Sequence, residues 1–298
     1  MSMLDVNERD KTAGRLLKSS AKNSYDPELD IDWDAPLVDG LWGLQEHRSS
    51  LYGTEIWQRM PVEQRQQLTI QESASVATAG IWFEMILMRA LLKRSYHGNP
   101  QDPHIQYALT EVADECRHSI MFARYSQKVG LADYRPHKLV HFGAQLMNAL
   151  DTGAAWIYAA ILVAEEILDR LQREMMVDPA VQPLLRQVNR IHVLEEARHV
   201  TYAREEVQRY MAKAGKADVY YNRLWSSVVS YFVVESLISP RVYGAVGLNT
   251  RECVAAAKAN PHWHATKRYA GEKIVEFLND QGLIGHPGKA LLKRAHLI

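Results

Sequence analysis

Two near-identical pentapeptides, Asp114-Glu-Cys-Arg-His118 and Glu195-Glu-Ala-Arg-His199, decide how this sequence folds. Each contains a glutamate three residues before a histidine, and none of the other histidines among the twelve has a glutamate at that spacing. A spacing of three places both side chains on one face of an α-helix, so the pair can chelate one ion. A single Glu-x-x-His is most often a solvated surface pair, whereas two copies with matching flanks indicate two metal-binding helices.

A carboxylate bundle that holds two metals needs two further carboxylates from two further helices. The offset between the copies predicts where they lie: Glu84 stands 31 residues before Glu115, and Glu165 stands 31 residues before Glu196. Glu84 is isolated among large apolar residues, which argues against a surface position. Glu165 shares a helix face with apolar neighbours, whereas the adjacent Glu166 shares one with charged residues and is expected on the solvent side.

The two copies differ one turn earlier in the chain. Four residues before the motif glutamates stand Glu111 in the first copy and His192 in the second. Because position i−4 lies on the same helix face, His192 is a candidate third histidine ligand, with a supporting or core histidine as the alternative. Glu111 is expected to accept a hydrogen bond from a ligand or the substrate. Asp114 is expected either to orient a ligand histidine through its second nitrogen or to pair with a surface arginine.

Charge balance favours a metal centre over an empty cluster. Four carboxylates buried without cations would be very costly to desolvate, whereas two divalent cations would neutralise them. Oxygen and nitrogen ligands without thiolate suit iron or manganese better than structural zinc. We therefore expect two iron ions as the cofactor, and the spacing leaves manganese or a mixed iron–manganese pair open.

The remaining sequence predicts an all-α fold. Apolar residues recur at helical spacing between Pro61 and His97, and further long helices are expected over 103–130, 136–177 and 179–215. No segment alternates between apolar and polar residues with a period of two. We expect residues 1–60 to form an irregular N-terminal arm packed on the domain, and residues 61–298 to form one domain, a four-helix bundle with additional C-terminal helices.

Composition excludes several classes of protein. Thirty-five basic and thirty-five acidic residues give a net charge of zero, which argues against a nucleic-acid partner. The apolar run that ends before Glu165 is too short to span a membrane, and no basic amphipathic helix indicates membrane binding. Two cysteines cannot form a disulfide framework or a cysteine-rich zinc site. The first twenty residues lack an apolar signal segment, so we expect a cytoplasmic location.

With these residues established, the sequence resembles the p-aminobenzoate N-oxygenase family of non-haem di-iron enzymes, over residues 55–235. The resemblance rests on the segment His192-Val-Leu-Glu-Glu-Ala-Arg-His199 and on seven residues in a fixed order: Glu84, Glu115, His118, Glu165, His192, Glu196 and His199. Generic ferritin-like proteins share six of these residues, and His192 makes the match specific. The resemblance implies a ferritin-like bundle, these seven residues as metal ligands, and a homodimer.

The resemblance also implies an activity, the O₂-dependent oxidation of an aromatic amine towards hydroxylamine, nitroso or nitro products. We expect a peroxo-diferric intermediate and no catalytic residue beyond the ligands and their neighbours Glu111 and Asp114. No Gly-x-Gly-x-x-Gly nucleotide motif is present, so an external electron donor must regenerate the reduced metals. The predicted partners are therefore O₂, a small-molecule amine and that donor.

Three other functions stay open at this point. The first is a di-iron hydroxylase or desaturase that acts on carbon, and the second is a ferritin-like protein that oxidises and stores iron. The third is a manganese catalase-like protein. Length argues against storage, because a minimal cage subunit needs neither the first 60 residues nor those after Pro240.

Overall fold

The part of the chain that the computed structural model describes, residues 3–131 and 155–298, is mostly helical. Within these ranges the only β-structure is an isolated bridge between Trp42 and Val181. The all-α prediction is confirmed. The helices are α1 (Met3–Lys22), α2 (Pro27–Asp30), α3 (Glu55–Arg59), α4 (Val62–His97), α5 (Pro103–Lys128), α6 (Ala155–Met175), α7 (Pro183–Met211), α8 (Lys216–Ser236), α9 (Arg241–Ala245), α10 (Thr250–Ala259), α11 (Pro261–Asp280) and α12 (Lys289–Arg294).

Four long helices, α4 to α7, form the central bundle. α4 packs along α5 and α6 packs along α7, and the pairs meet through contacts of α5 with α7 and of α4 with α6. Proline starts three of these helices: Pro61 precedes α4, while Pro103 and Pro183 occupy the first turns of α5 and α7, where the missing N–H costs no hydrogen bond. α5 ends just before Gly130, whose φ of 68° favours glycine.

The C-terminal helices cover the apolar side of α6. Trp156 and Leu162 on α6 are fully buried and belong to one core cluster with Val233 of α8 and Ile274 of α11. α8 and α11 both pack on α6, and α12 packs on α8. The opposite side of α6 therefore faces the bundle interior.

α4 is the one described helix whose length and hydropathy would suffice to cross a membrane. However, 56% of its most apolar window is buried inside the protein, and Glu84 in that helix is only 1% exposed. Burial of this kind is typical of a core helix of a bundle.

The expectation of an irregular arm over residues 1–60 is wrong at its start, because α1 occupies Met3–Lys22. α1 packs on α5 and α7, where Ala13 and Leu16 are buried and Arg9 forms a two-pronged ion pair with Glu206 at 2.8 and 2.7 Å. Polar and charged residues outnumber the apolar ones in this segment, so its sequence alone does not predict that it packs on the bundle. Residues 23–60 contain only short helices and turns.

Two other helix boundaries differ from the sequence-based prediction. Of the helix expected over 136–177, Ala155–Met175 is observed, and the part before residue 155 lies outside the described residues. The next helix begins at Pro183 rather than near 179, because Trp42 pairs with residues 180–182. The Trp42 N–H donates to Ala180 O, and the Gln182 N–H donates to Trp42 O, both at 2.9 Å.

Candidate metal centre

The four bundle helices bring all seven sequence-predicted ligands, together with Glu111, to one buried position. Each of these eight residues is 2% exposed or less. Their ligand atoms approach within 4.8 Å of one another in four overlapping triads. These triads are Glu84–His118–His192, Glu111–Glu115–His199, Glu115–His118–Glu196 and Glu165–His192–Glu196.

The two motif histidines meet at the centre through their Nδ1 atoms. His118 Nδ1 lies 3.0 Å from Glu115 Oε2 and 3.4 Å from Glu196 Oε1. His199 Nδ1 lies 2.8 Å from Glu196 Oε1 and 3.1 Å from Glu115 Oε1. Each motif glutamate therefore contacts both histidines, which places the two Glu-x-x-His pairs side by side.

The outer Nε2 atoms of the same histidines are held crosswise by the residue before each motif glutamate. His118 on α5 contacts Glu195 of α7 at 2.8 Å, and His199 on α7 contacts Asp114 of α5 at 3.2 Å. A carboxylate in this place accepts the Nε2–H and leaves the Nδ1 lone pair for a metal. The structure thus places Asp114 beside the predicted ligand His199, and Glu195 has the same relation to His118.

Arginines and the N-terminal segment hold these two outer carboxylates. Arg198 Nη2 lies 3.5 Å from Asp114 Oδ2 and 3.6 Å from Glu195 Oε1, and Arg117 also pairs with Asp114. The backbone N–H of Tyr25 donates to Glu195 Oε1 at 3.1 Å. The motif spacing did not predict these supporting residues. The arginine that both pentapeptides contain was nevertheless a signal for Arg117 and Arg198.

His192 presents its other nitrogen to the centre. Its Nε2 lies 3.6 Å from Glu84 Oε1, 4.0 Å from Glu165 Oε2 and 3.9 Å from Glu196 Oε1. Its Nδ1 lies 2.7 Å from Gln172 Oε1, on the side away from the carboxylates. The structure therefore brings His192 to the carboxylates that α4 and α6 supply, as a ligand would be.

Several buried polar atoms of the centre have no hydrogen-bond partner. Among the seven predicted ligands they are His192 Nε2 and one oxygen in each glutamate, namely Glu84 Oε1, Glu115 Oε1, Glu165 Oε2 and Glu196 Oε2. The 3.1 Å approach of His199 Nδ1 to Glu115 Oε1 lacks hydrogen-bond geometry. Buried polar atoms nearly always have a partner, so five orphans in one cluster require an explanation. Coordination of cations supplies one, because imidazole nitrogen and carboxylate oxygen are ligands that iron and manganese accept. The residues present therefore fit the predicted pair of metals.

The pKa values in the cluster reflect the excess negative charge of its buried carboxylates. Burial alone would lower the pKa values of His118 and His199, but the facing carboxylates raise both well above the ordinary range. Burial, together with the charges of Glu196 and Glu115, raises the pKa of Glu165 well above its usual value. Without metal, protons therefore supply the positive charge of the centre, and metal binding displaces them.

Glu111 lies at the edge of the centre. Its Oε2 has no hydrogen-bond partner, and it shares a triad with Glu115 and His199. Burial raises the pKa of Glu111 to about 8, with His199 opposing the shift and Glu115 adding to it. Its position is that of the residue expected to contact a ligand or the substrate.

The expected solvent position of Glu166 is wrong. This side chain is 7% exposed, and Arg204 on α7 donates to both of its oxygens, with Nε at 2.8 Å. The charged face of α6 is therefore covered by α7 through an ion pair rather than by water. Glu166 belongs to none of the four triads, so the two adjacent glutamates do point to different places, as the sequence predicted.

Comparison with known proteins agrees with this geometry. Two relatives, the uncharacterized proteins Rv0885 of Mycobacterium tuberculosis and Mb0909 of Mycobacterium bovis, are each 26% identical over 246 residues, which is 80% of this chain and 70% of theirs. A solved structure of an R2-like ligand-binding oxidase mutant, reconstituted with a Mn/Fe cofactor, has a TM-score of 0.53 at 15% identity. It covers 91% of this chain and 92% of its own, and the likeness shows a shared ferritin-like fold.

The profile of one enzyme family matches nearly the whole chain. It is described as P-aminobenzoate N-oxygenase AurF, and it matches residues 6–282. That range includes all four bundle helices and every residue of the metal centre. The protein therefore belongs to the p-aminobenzoate N-oxygenase AurF family and is an oxygen-dependent di-metal oxygenase.

Proposed function

We propose that this protein is a di-iron oxygenase that uses O₂ to oxidise the nitrogen of an aromatic amine. His192 carries the proposal, because its Nε2 faces Glu84 and Glu165 without a hydrogen-bond partner. The other six ligands occur in ferritin-like proteins generally, whereas the third histidine is the feature by which the sequence resembles N-oxygenases. Membership of the AurF family supports the same reaction.

The proposed reaction gives one role to the metal pair and another to the residues that would hold it. When bound, the metal pair supplies electrons and open coordination positions for O₂. Glu84, Glu165 and His192 converge on one side of the centre, and the two Glu-x-x-His pairs complete it. Because all of these side chains are 2% exposed or less, bulk water is kept from the reacting atoms.

The reaction fixes what must come from outside. Conversion of an amine N–H into N–OH transfers one oxygen atom to the substrate and reduces the other to water, which consumes two electrons and two protons. The described residues include no nucleotide-binding strand–turn–helix unit. We therefore propose a small-molecule amine and an external electron donor as partners.

The deciding experiment is metal analysis followed by a single-turnover reaction with isotopically labelled O₂ and a panel of arylamines, phenols and acyl chains. We expect about two iron ions per chain, a transient visible absorption after O₂ addition, and label on the nitrogen of an arylamine. Label only on carbon would replace the proposal by a hydroxylase. Hundreds of irons per assembly would indicate storage, and O₂ release from peroxide by a manganese form would indicate a catalase.

Adjacent glutamates on α6 provide matched variants for this experiment. We expect Glu165→Gln to lose a metal ion and the O₂ reaction, because it removes a ligand oxygen from the centre. We expect Glu166→Gln to keep both metals, because Glu166 contacts Arg204 instead. Metal loss in both variants would show that the assay reports folding rather than ligation.

We also propose a homodimer that forms through the outer face of α4 and α5. Exposed apolar side chains recur there at helical spacing, with exposed fractions between 42% and 55%: Met85 and Leu92 on α4, and Leu109 and Ile120 on α5. Exposed apolar residues at helical spacing on two neighbouring helices are typical of a subunit interface.

The mass in solution tests the dimer. Light scattering should give twice the 34.0 kDa chain mass for the wild type and for Val177→Lys, a control at an exposed apolar residue elsewhere. Ile120→Lys should give the monomer, because it places a charge within the apolar face. A monomeric wild type, or an Ile120→Lys variant that stays dimeric, would contradict the proposed interface.

A further inference from the structure

One buried amide lies against the metal centre without belonging to it. Gln172 is on α6, seven residues or two turns after Glu165, and is 4% exposed. Its Oε1 lies 2.7 Å from His192 Nδ1. The Phe122 ring packs beside the same imidazole, with 4.9 Å between ring centroids. The orientation of His192 is thus set from outside the centre by one polar contact and one ring contact, while the His118 ring of the centre lies 4.8 Å from the imidazole between centroids.

The polar contact decides which nitrogen of His192 is available. A neutral imidazole carries one N–H, and an amide oxygen can only accept a hydrogen bond. Donation from Nδ1–H to Gln172 Oε1 therefore leaves Nε2 with a lone pair. That Nε2 faces Glu84, Glu165 and Glu196, and it has no hydrogen-bond partner.

The partner of His192 differs in charge from the partners of the other two histidines. His118 and His199 are held from behind by the carboxylates Glu195 and Asp114. A carboxylate acceptor increases electron donation from the imidazole to a metal more than a neutral amide does. Gln172 therefore gives His192 the correct orientation with less donation.

We propose that Gln172 is a positioning residue that holds His192 with Nε2 towards the metal position beside Glu84 and Glu165, and that its neutrality makes this the weaker of the two metal positions. The inference rests on the proposed metal centre and is independent of the substrate. Its readout is metal affinity, so it needs no turnover.

Anaerobic titration of the metal-free protein with Fe(II) or Co(II) tests it. In Gln172→Leu we expect the weaker metal to bind about 10- to 100-fold less tightly, because the acceptor for Nδ1–H is gone. In Gln172→Glu, which restores an acceptor and adds charge, we expect binding at least as tight as in the wild type. Equal affinities in the wild type and Gln172→Leu, or weak binding in Gln172→Glu, would overturn the proposal.

Two controls separate positioning from packing. Asn189 lies three residues before His192 and borders, with Gln172, the same cavity of about 20 Å³. Asn189→Leu should leave both affinities unchanged, because Asn189 makes no hydrogen bond to His192. In a His192→Ala background, Gln172→Leu should change affinity less than twofold, since the residue it positions is absent. A full effect of Gln172→Leu in that background would assign Gln172 to packing.

Failure of this inference can be told apart from failure of the proposed function. A wild-type protein that binds no metal pair would remove the proposed function itself. A wild type with two metals whose affinities do not respond to Gln172 would remove only the role of this residue.

Discussion

The two motif helices, α5 and α7, carry matching residues over one helical turn and differ in the turn before it. Within the matched turn, each helix supplies a chelating pair and a carboxylate that supports the histidine of the other helix. In the preceding turn α5 carries Glu111 and α7 carries His192. The repeated turn thus supplies two chelating pairs that Glu84 and Glu165 complete, and the turn that differs gives the two halves of the centre different side chains.

The environments of the two differing residues show what each contributes. His192 Nε2 points to carboxylates from two other helices, whereas Glu111 lies near Glu115 of its own helix and His199 of α7. Electron donation from a neutral imidazole adds no negative charge to the centre. A fifth carboxylate does add charge unless it holds a proton. The asymmetry therefore changes the ligand set without upsetting charge neutrality.

The largest expected effect comes from the matched turn. We predict that His118→Ala and His199→Ala each reduce metal content from about two ions per chain to one or fewer, and abolish the O₂ reaction. The two losses should be alike, because each histidine contacts both motif glutamates. Elemental analysis after anaerobic loading measures them.

His104→Ala is the matched control for these variants. His104 is on α5 as well but pairs with Asp10 of α1, so its removal should not alter metal content. Retention of both metals in His118→Ala would refute the site assignment. A large difference between the two ligand variants would instead show that the matched turns are not equivalent.

Substitutions in the turn before the motif, at His192 and Glu111, should have an intermediate effect on metal binding. We predict that His192→Ala weakens one metal position by at least the roughly 10- to 100-fold that is typical for loss of a supporting residue, since a ligand itself is lost, and leaves the other position unchanged. Glu111→Gln should keep both affinities within about twofold, because an amide retains the shape and a hydrogen-bonding oxygen. Stepwise Co(II) titration resolves the two positions. Loss of a metal in Glu111→Gln would make Glu111 a ligand and the two halves symmetric.

The sequence was sufficient to predict which side chains meet in the centre, because the predicted ligands follow helical registers. Glu84 and Glu165 were located from the 81-residue offset between the two copies, and no tertiary information was needed. The same periodicity identified the long helices of the bundle, since their apolar faces and proline starts are local signals.

The features that the sequence did not predict depend on how the helices pack against one another. The contact of His118 with Glu195 joins residues 77 positions apart, and that of Arg9 with Glu206 joins residues 197 apart. Such pairs leave no local periodicity, which is why α1 was expected to be irregular. Glu166 was expected in water for the same reason, because its partner Arg204 is on another helix. Gln172 carried no motif at all.

The smallest effect on the metals is expected at a second buried carboxyl group on α4. Glu72 precedes Glu84 by twelve residues and is fully buried, but it faces hydroxyl groups rather than imidazoles. The backbone N–H and the hydroxyl of Ser50 donate to its Oε1, and Tyr243 contacts that hydroxyl at 2.8 Å. Burial raises the pKa of Glu72 to about 7, with hydrogen bonds from Ser50 and Ser49 opposing the shift.

The direction of the pH effect follows from this raised pKa. A carboxyl group with a higher pKa in the folded state stabilises the fold fully below its unfolded pKa, and this contribution is lost as pH rises to the folded value. For Glu72 the loss runs from pH 4.5 to about 7. We predict that Glu72→Gln, which cannot ionise, removes this part of the pH dependence and is more stable than the wild type at pH 8 by about 3 kcal/mol.

Urea unfolding of the metal-free wild type and Glu72→Gln at pH 5 and pH 8 measures this difference. At pH 5 the two proteins should be nearly equally stable, because Glu72 is then protonated in the folded state. Metal content of Glu72→Gln should stay at the wild-type level, since the role of a buried carboxylate on α4 depends on facing histidines. Parallel stability curves would show that Glu72 ionises without cost, and loss of metal would extend the centre along α4 beyond Glu84.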